Sequence, residues 1–567
     1  MNLAAGVPRR WAVALLLSTV TLVIGPGCVR SDPPADLVII NVVEPGSLDP
    51  ALAIGVEELR IVTALFEGLT RVDPVNAGPI PGLAERWERS PDGRTYTFFL
   101  RTNAQWSTGE SITAEDVLYS WFRVLDQATA SDYAGTLFYV KNAEAFYNGT
   151  LTNRDEVGIH KRNAHTVEVE LINPTAYWLD LCALPVLAVV PRQAIERYGD
   201  RWSRARPLPV SGAYQLEAWR VNDKVRLRRN PRYWDAAHTH SELVDLLPIG
   251  NPSAVFNLYK AGEADLIWDK ETVPAQLMSV LRTNRDCHTF NYLGTYFLRF
   301  NVTKKPFDQP KVRQALAMAI DKERIVNNLR KSGELTATHL VPPDTANYQP
   351  PRGLDYDPKQ AQRLLKEAGY EGGAGFPPFE YLFDSSGGGA SAIHGQIGVE
   401  LQQMWQRELG IQVGLRQMEK KVFLKAQSDL QYEICRSSWI GDYNDANTFL
   451  DLFLSNGGNN RTGWRSPRYD ELLRQANLET DKNRRADLLR QAETLLVRDE
   501  LPIIPLFFYN GFTYYNPDRI RGVYTNILDL HPIGAIEKVR RGTKAQRRDG
   551  GAAAGGSRAG RRSSCIS

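Results

Sequence analysis

The strongest constraint on the fold is the order of its elements. From residue 37 to residue 539, short β-branched runs and apolar stripes of 3.6-residue period follow one another without strict strand–helix alternation. Leu37-Val-Ile-Ile-Asn-Val-Val43 is an apolar run of strand length that stops before Pro45-Gly46, which predicts a buried strand. Val56, Leu59, Val62, Leu65, Phe66 and Leu69 share one helical face, predicting a helix over 56–69 that closes at Gly68. Residues 87–101 predict a hairpin turning at Pro91-Asp92-Gly93. Thr113 followed by Asp116 is a capping-box pattern, opening a helix over 116–125. Further strands are expected at 166–171, 225–229 and 264–268, and helices at 252–261, 311–329, 358–368, 393–409, 467–479 and 484–498. Such an order requires an α/β or α+β body whose sheets draw strands from distant segments. A length of 567 residues, 43% of them hydrophobic, supplies core for two or more domains.

Both ends differ from this body. Residues 1–27 combine Arg9 and Arg10, an apolar stretch over 11–24 interrupted by Ser18, Thr19 and Thr21, and Gly25-Pro-Gly27. The stretch falls short of the ~20 residues a bilayer span needs and suits a signal-peptide core. Cys28, directly after it, resembles the cysteine of a bacterial lipoprotein signal, which becomes the lipidated N-terminus. Gly25 occupies the place where that pattern usually has Leu, so cleavage by the ordinary signal peptidase stays open. Residues 28–36 then form a polar tether. At the other end, residues 540–567 carry eight Lys and Arg against Asp549, a net +7, which leaves −4 for the rest of a chain of net charge +3. They predict a disordered basic tail, and the acidic body gives no support for nucleic-acid binding. Of five cysteines, Cys182, Cys287 and Cys435 concern the fold, as free buried thiols or with one bridge at most.

Signatures of catalysis are missing from the sequence. There is no GxSxG, HExxH, P-loop or GxGxxG pattern. His238-Thr-His240 lacks an acidic or cysteine cluster to complete a metal site and is expected as an exposed loop pair. Asp442 and Asp445 would serve as acid and base of a glycosidase only if one of them had a raised pKa.

Several motifs occur in a telling order. Glu44-Pro-Gly-Ser-Leu-Asp-Pro50 is followed by Phe66-Glu-Gly-Leu69, Leu83-Ala-Glu-Arg-Trp87, Ser90-Pro-Asp-Gly-Arg-Thr-Tyr-Thr-Phe98, Trp106-Ser-Thr-Gly-Glu110 and Thr113-Ala-Glu-Asp116. Ser211-Gly-Ala-Tyr214, Asn230-Pro-Arg-Tyr-Trp234, Val312-Arg-Gln-Ala-Leu316, Ala319-Ile-Asp321 and Trp439-Ile-Gly-Asp-Tyr-Asn444 complete the series. Together they resemble the bacterial extracellular solute-binding proteins of family 5, in particular the oligopeptide-binding proteins of ABC transporters. The resemblance implies a two-lobed α/β fold of the periplasmic-binding-protein kind (class II), with an additional small α/β domain and lobes joined by crossing hinge strands. It implies a first lobe of 37–66, 194–295 and 511–539, an additional domain of 67–193 and a second lobe of 296–510. A monomeric receptor of this kind takes short peptides by hinge closure and passes them to a membrane permease, with no chemistry and no cofactor. A different solute (a dipeptide, a nickel chelate or an oligosaccharide), a peptide sensor or a secreted hydrolase remain the alternatives.

Site residues follow from the same resemblance. Asp442 would pair with the α-ammonium group of the peptide, because a carboxylate in a closed cleft is costly until a cation arrives. The backbone of Ser438, Trp439 and Ile440 would form one edge for the peptide strand, and Gly55 with Val56 the other. Tyr133 would line the cleft, and Arg436 with Trp439 would shape the pocket floor. His394 would meet the peptide's carboxylate and supply a proton to it. Gln427 stands where oligopeptide binders carry an Arg, with Lys425 nearby, and Ile54 where they carry Glu, so one cation and one anion of the cleft are missing or displaced.

Overall fold

The computed structural model describes residues 32–385 and 389–539. The expected signal peptide, Cys28 and the basic tail lie outside the described residues. The main sheet draws its strands from across the chain, in the order Val413–Met418, Phe379–Asp384, Ile434–Ile440, Cys287–Phe300, Ile503–Tyr514, Leu266–Ile267, Leu37–Ile40, Leu243–Leu247, Lys224–Arg229 and Tyr214–Arg220. Leu335–Thr336 adds to the Ile503–Tyr514 strand.

Two long antiparallel strands, Cys287–Phe300 and Ile503–Tyr514, carry the sheet from one half to the other. Their register runs from Cys287 opposite Tyr514 to Asn291 opposite Asn510, then breaks and resumes at Thr295 opposite Phe508. Three residues on one strand therefore face one on the other, so the ladder is interrupted there. On one side of the break the core holds Leu37, Ile39, Val62, Leu65, Trp202, Tyr214 and Trp268. On the other it holds Tyr296, Leu298, Phe300, Leu316, Tyr381 and Trp405. A third core, with Phe98, Trp121, Val167 and Trp178, belongs to a four-stranded antiparallel sheet of Ala84–Arg89, Thr95–Leu100, Thr166–Glu170 and Ile159–Asn163. The helix Ala114–Val124 contributes Val117, Trp121 and Phe122 to that core.

Local sequence chemistry explains most boundaries. The hairpin turns at Gly93 with φ of 72°, a left-handed conformation that glycine adopts without steric cost. The Thr113 amide donates to the Asp116 carboxylate at 2.8 Å, so the expected capping box is present. Three expectations change. The first strand ends at Ile40, because Val42 takes φ of 48°. The following helix is Val56–Leu65 rather than 56–69: Phe66 is extended and packs on Trp202, and the Gly212 amide takes the Leu65 carbonyl at 2.8 Å. Gly68 instead lets the chain pass the Cys182 carbonyl, which a Cβ would meet at 2.6 Å. The helix expected over 311–329 divides into Pro310–Met318 and a second segment from Lys322, since Asp321 caps the Arg324 amide. Cys182, Cys287 and Cys435 are free thiols. No helix among the described residues is long and apolar enough to cross a membrane.

Candidate functional site: an unpaired strand edge and a bare carboxylate

The strand Ile434–Ile440 is paired along one side only for most of its length. On that side it follows Cys287–Phe300 continuously, from Ile434 opposite Phe300 to Ile440 opposite Gly294. On its other side, Phe379–Asp384 pairs with it only at Ile434 and Cys435. From Arg436 to Ile440 that second edge has no strand partner among the described residues. An unpaired edge is a template for an added strand, and Ser438, Trp439 and Ile440 lie on it. Ile440 is exposed, whereas the Trp439 indole nitrogen is enclosed and has no acceptor among the described residues.

The chain leaves this edge at Gly441, whose amide donates to the Leu293 carbonyl at 2.8 Å, and delivers Asp442 next to it. The Asp442 amide reaches Thr448 Oγ1 at 3.3 Å. Its carboxylate accepts no hydrogen bond and meets no cation among the described residues. The side chain is open to solvent, yet surrounding protein displaces enough water to raise its pKa to about 6. Open surface and strong desolvation together describe a group in a concavity. Tyr133 is brought to the same place from the small domain: burial raises its pKa first, and the negative charge of Asp442 adds to the rise. Asp451, raised to about 7 by burial and then by Asp442 and Asp445, makes the surroundings more acidic.

Asp445 has a different role. Arg485 grips it with two bonds of 2.7 and 2.8 Å, and the Asn447 amide donates to it at 2.9 Å. A carboxylate so engaged is a fixed structural anion, unlike Asp442. Beside it, Tyr177 stacks on Tyr443 with ring centroids 4.5 Å apart, and Asn447 Nδ2 donates to the Tyr177 hydroxyl at 3.0 Å.

Gly55 and His394 have internal partners in the structure. The Gly55 amide already donates to Glu58 at 3.1 Å, and the Gly55 carbonyl accepts from the Glu58 and Leu59 amides. Val56 beside it is the exposed first residue of its helix. His394 is buried, with Nδ1 3.3 Å from the Tyr296 hydroxyl. Burial, then the positive charge of Arg436, pushes its pKa down to about 4, so it is neutral at pH 7 and keeps a single ring N–H to donate. Arg436 itself donates to Asp384 at 2.5 Å and to Ser438 Oγ at 3.1 Å. Sequence reasoning missed Asp384; the signal was an aromatic-rich run, Phe379-Glu-Tyr-Leu-Phe383, ending on an acid. It also missed Arg461, whose Nη1 donates to the side chain of Gln427 at 3.1 Å, placing a cation beside the position where one was absent. His238 is exposed and contacts Asp235, and His240 is exposed.

A family model described as bacterial extracellular solute-binding proteins, family 5 Middle, matches residues 78–461. The periplasmic oligopeptide-binding protein OppA of Salmonella typhimurium is 34% identical over 483 residues, covering 83% of this chain and 87% of that protein. Among solved structures, the unliganded open form of the murein tripeptide-binding protein MppA is 32% identical, with a TM-score of 0.77 over 89% of this chain and 97% of that one. The complex of Haemophilus influenzae OppA with RPPGFSPFR is 30% identical, with a TM-score of 0.72 over 90% of this chain and all of that one.

Proposed function

The chain belongs to the bacterial extracellular solute-binding proteins of family 5, and on that premise we propose that it captures short peptides and hands them to the permease of an ABC transporter. The observation that carries this reading is the juxtaposition of an unpaired edge, Arg436 to Ile440, with the uncompensated carboxylate of Asp442. A peptide adds as a strand to the edge and places its amine on Asp442, and Val56 and Tyr133 close over it from the other side. Main-chain hydrogen bonds supply affinity in such an arrangement, while the amine fixes the direction of the chain.

Closure turns about the register break near Asn291 and Thr295. In this reading the first lobe comprises 37–66, 194–295 and 511–539, the additional domain 67–193 and the second lobe 296–510. In this reading the protein performs no chemistry on its cargo, in keeping with the binding-protein relatives. It acts as a monomer on the periplasmic side, after removal of residues 1–27, and is held at the membrane through lipid on Cys28.

Native mass spectrometry of the purified full chain tests this reading. The expected result is co-purified short peptides, or an added tripeptide recovered intact after denaturation. Cleaved products, or no peptide at any loading, would overturn it. For the anchor, mass spectrometry of the N-terminus is expected to find diacylglycerol on Cys28; an unmodified N-terminus beyond that residue removes it.

A further inference from the structure

The loop that begins at Asp442 gathers more acid than the fold compensates. Asp442, Asp445 and Asp451 lie on it, and Asp180 joins them from the helix Trp178–Leu181 of the small domain. Arg485 brings a positive charge to this place, and both of its terminal nitrogens grip Asp445. Asp180 and Asp451 meet no cation among the described residues. Burial raises the pKa of each to about 7, with Asp445 adding to the rise at Asp180, and Asp442 and Asp445 at Asp451.

Asn447 is an independent sign that something is missing here. It is 1% exposed, and its Nδ2 faces the Tyr177 hydroxyl at 3.0 Å and the Tyr443 hydroxyl and the Asp451 carboxylate at 3.3 Å each. The side chain is thus aimed at the acidic cluster. Reversing the amide would set its oxygen against the Asp451 carboxylate, so the acid fixes its orientation. Asn447 Oδ1 is enclosed and has no donor among the described residues. A buried acceptor without a donor is costly, and so is a desolvated carboxylate without a cation. The place is short of N–H groups and of positive charge together. A Lys ammonium or an Arg guanidinium supplies several such donors and brings no acceptor.

The local chain geometry connects this place to the peptide amine. The Asp442 amide reaches Thr448 Oγ1 at 3.3 Å. Thr448 belongs to the helical segment Asn447–Leu450, which continues as Asp451–Phe453, so Thr448 and Asp451 are three positions apart on one face, where Cβ atoms are about 5–6 Å from each other. A peptide with its amine on Asp442 therefore has its first side chain within reach of Asp451.

We propose that Asp451 and Asn447, with Asp180 adding negative charge, form a subsite for a cationic side chain, and that this receptor prefers peptides whose first residue is Lys or Arg. The subsite deepens the peptide-receptor reading above and rests on it.

Calorimetry on the full chain tests it at pH 7.5 with Lys-Ala-Ala, its uncharged norleucine analogue, and Ala-Ala-Lys, which keeps the charge and moves the cation. A hydrogen bond to a charged group supports a preference of about tenfold, expected for Lys-Ala-Ala over both other peptides. Asp451→Asn, whose fold is checked by its thermal melt, should bring both ratios to within about twofold. Asp180→Asn serves as the second variant and should lower the same ratios with Asp451 still in place. Equal wild-type affinities for the three peptides, or ratios unchanged in the folded variants, would overturn the subsite while peptides still bind. Failure of every peptide to bind would overturn the receptor reading and the subsite together.

Discussion

The two ends of the Ile434–Ile440 strand solve the problem of buried charge in opposite ways. Near its start, Arg436 brings its own counter-ion, Asp384, which is fully enclosed, and the adjacent His394 is held neutral. Just past its end, Asp442 has no counter-ion, and its neighbours Tyr133 and Asp451 offer none. The first region is complete without a ligand. The second carries a cost that protonation or an arriving cation removes, and a free peptide amine is such a cation. Internal pairing therefore separates the charges the fold compensates from the one it leaves bare, which the proposed function assigns to cargo.

The comparison can be broken at either end. Its largest effect is expected from Asp384→Ala, which strands the Arg436 guanidinium and should lower stability by about 3–5 kcal/mol, measured as a drop in the denaturant midpoint. If Arg436 and Asp384 are not a structural pair, the loss stays within the ordinary range of a surface substitution.

Next comes pH. Because Asp442 titrates near 6 in the free protein, peptide affinity should fall about tenfold between pH 7.5 and pH 5. The profile should show no step from His394, whose pKa of about 4 lies below this window. A flat calorimetric profile would remove the ionised Asp442 from the binding event.

The smallest effect concerns stability without ligand. The folded-state pKa of Asp442 is raised, so its penalty is absent below the unfolded value near 4 and fully present above 6. Since the group is exposed, screening limits this to about 1 kcal/mol. Asp442→Asn should therefore match the wild type near pH 4 and exceed it by that amount at pH 7.5 in urea unfolding. An equal midpoint at both pH values would contradict the picture of an uncompensated anion.

Local signals carried much of the fold. The Thr113–Asp116 box, the Gly93 turn and the helix Pro252–Ala261 were all legible, because each depends on residues within a few positions of one another. Gly68 misled for the same reason: its glycine answers a carbonyl 114 positions away at Cys182, and the helix ends earlier through the Gly212 amide. At the site, motif order pointed to Asp442 and to the 438–440 edge, but spacing cannot show which charges are paired. The link from Arg485 to Asp445 spans 40 positions, and that from Arg461 to Gln427 spans 34. Only the folded chain distinguishes a gripped carboxylate from a bare one three residues away.

The most direct test of the central claim compares a tripeptide bearing a free amine with its N-acetylated form, by calorimetry at pH 7.5, on the wild type and on Asp442→Asn. The account predicts that acetylation costs the wild type on the order of 2–5 kcal/mol, and that Asp442→Asn loses a similar amount for the free-amine peptide and no longer distinguishes the two ligands. Wild-type affinity of Asp442→Asn for the free-amine tripeptide would contradict it.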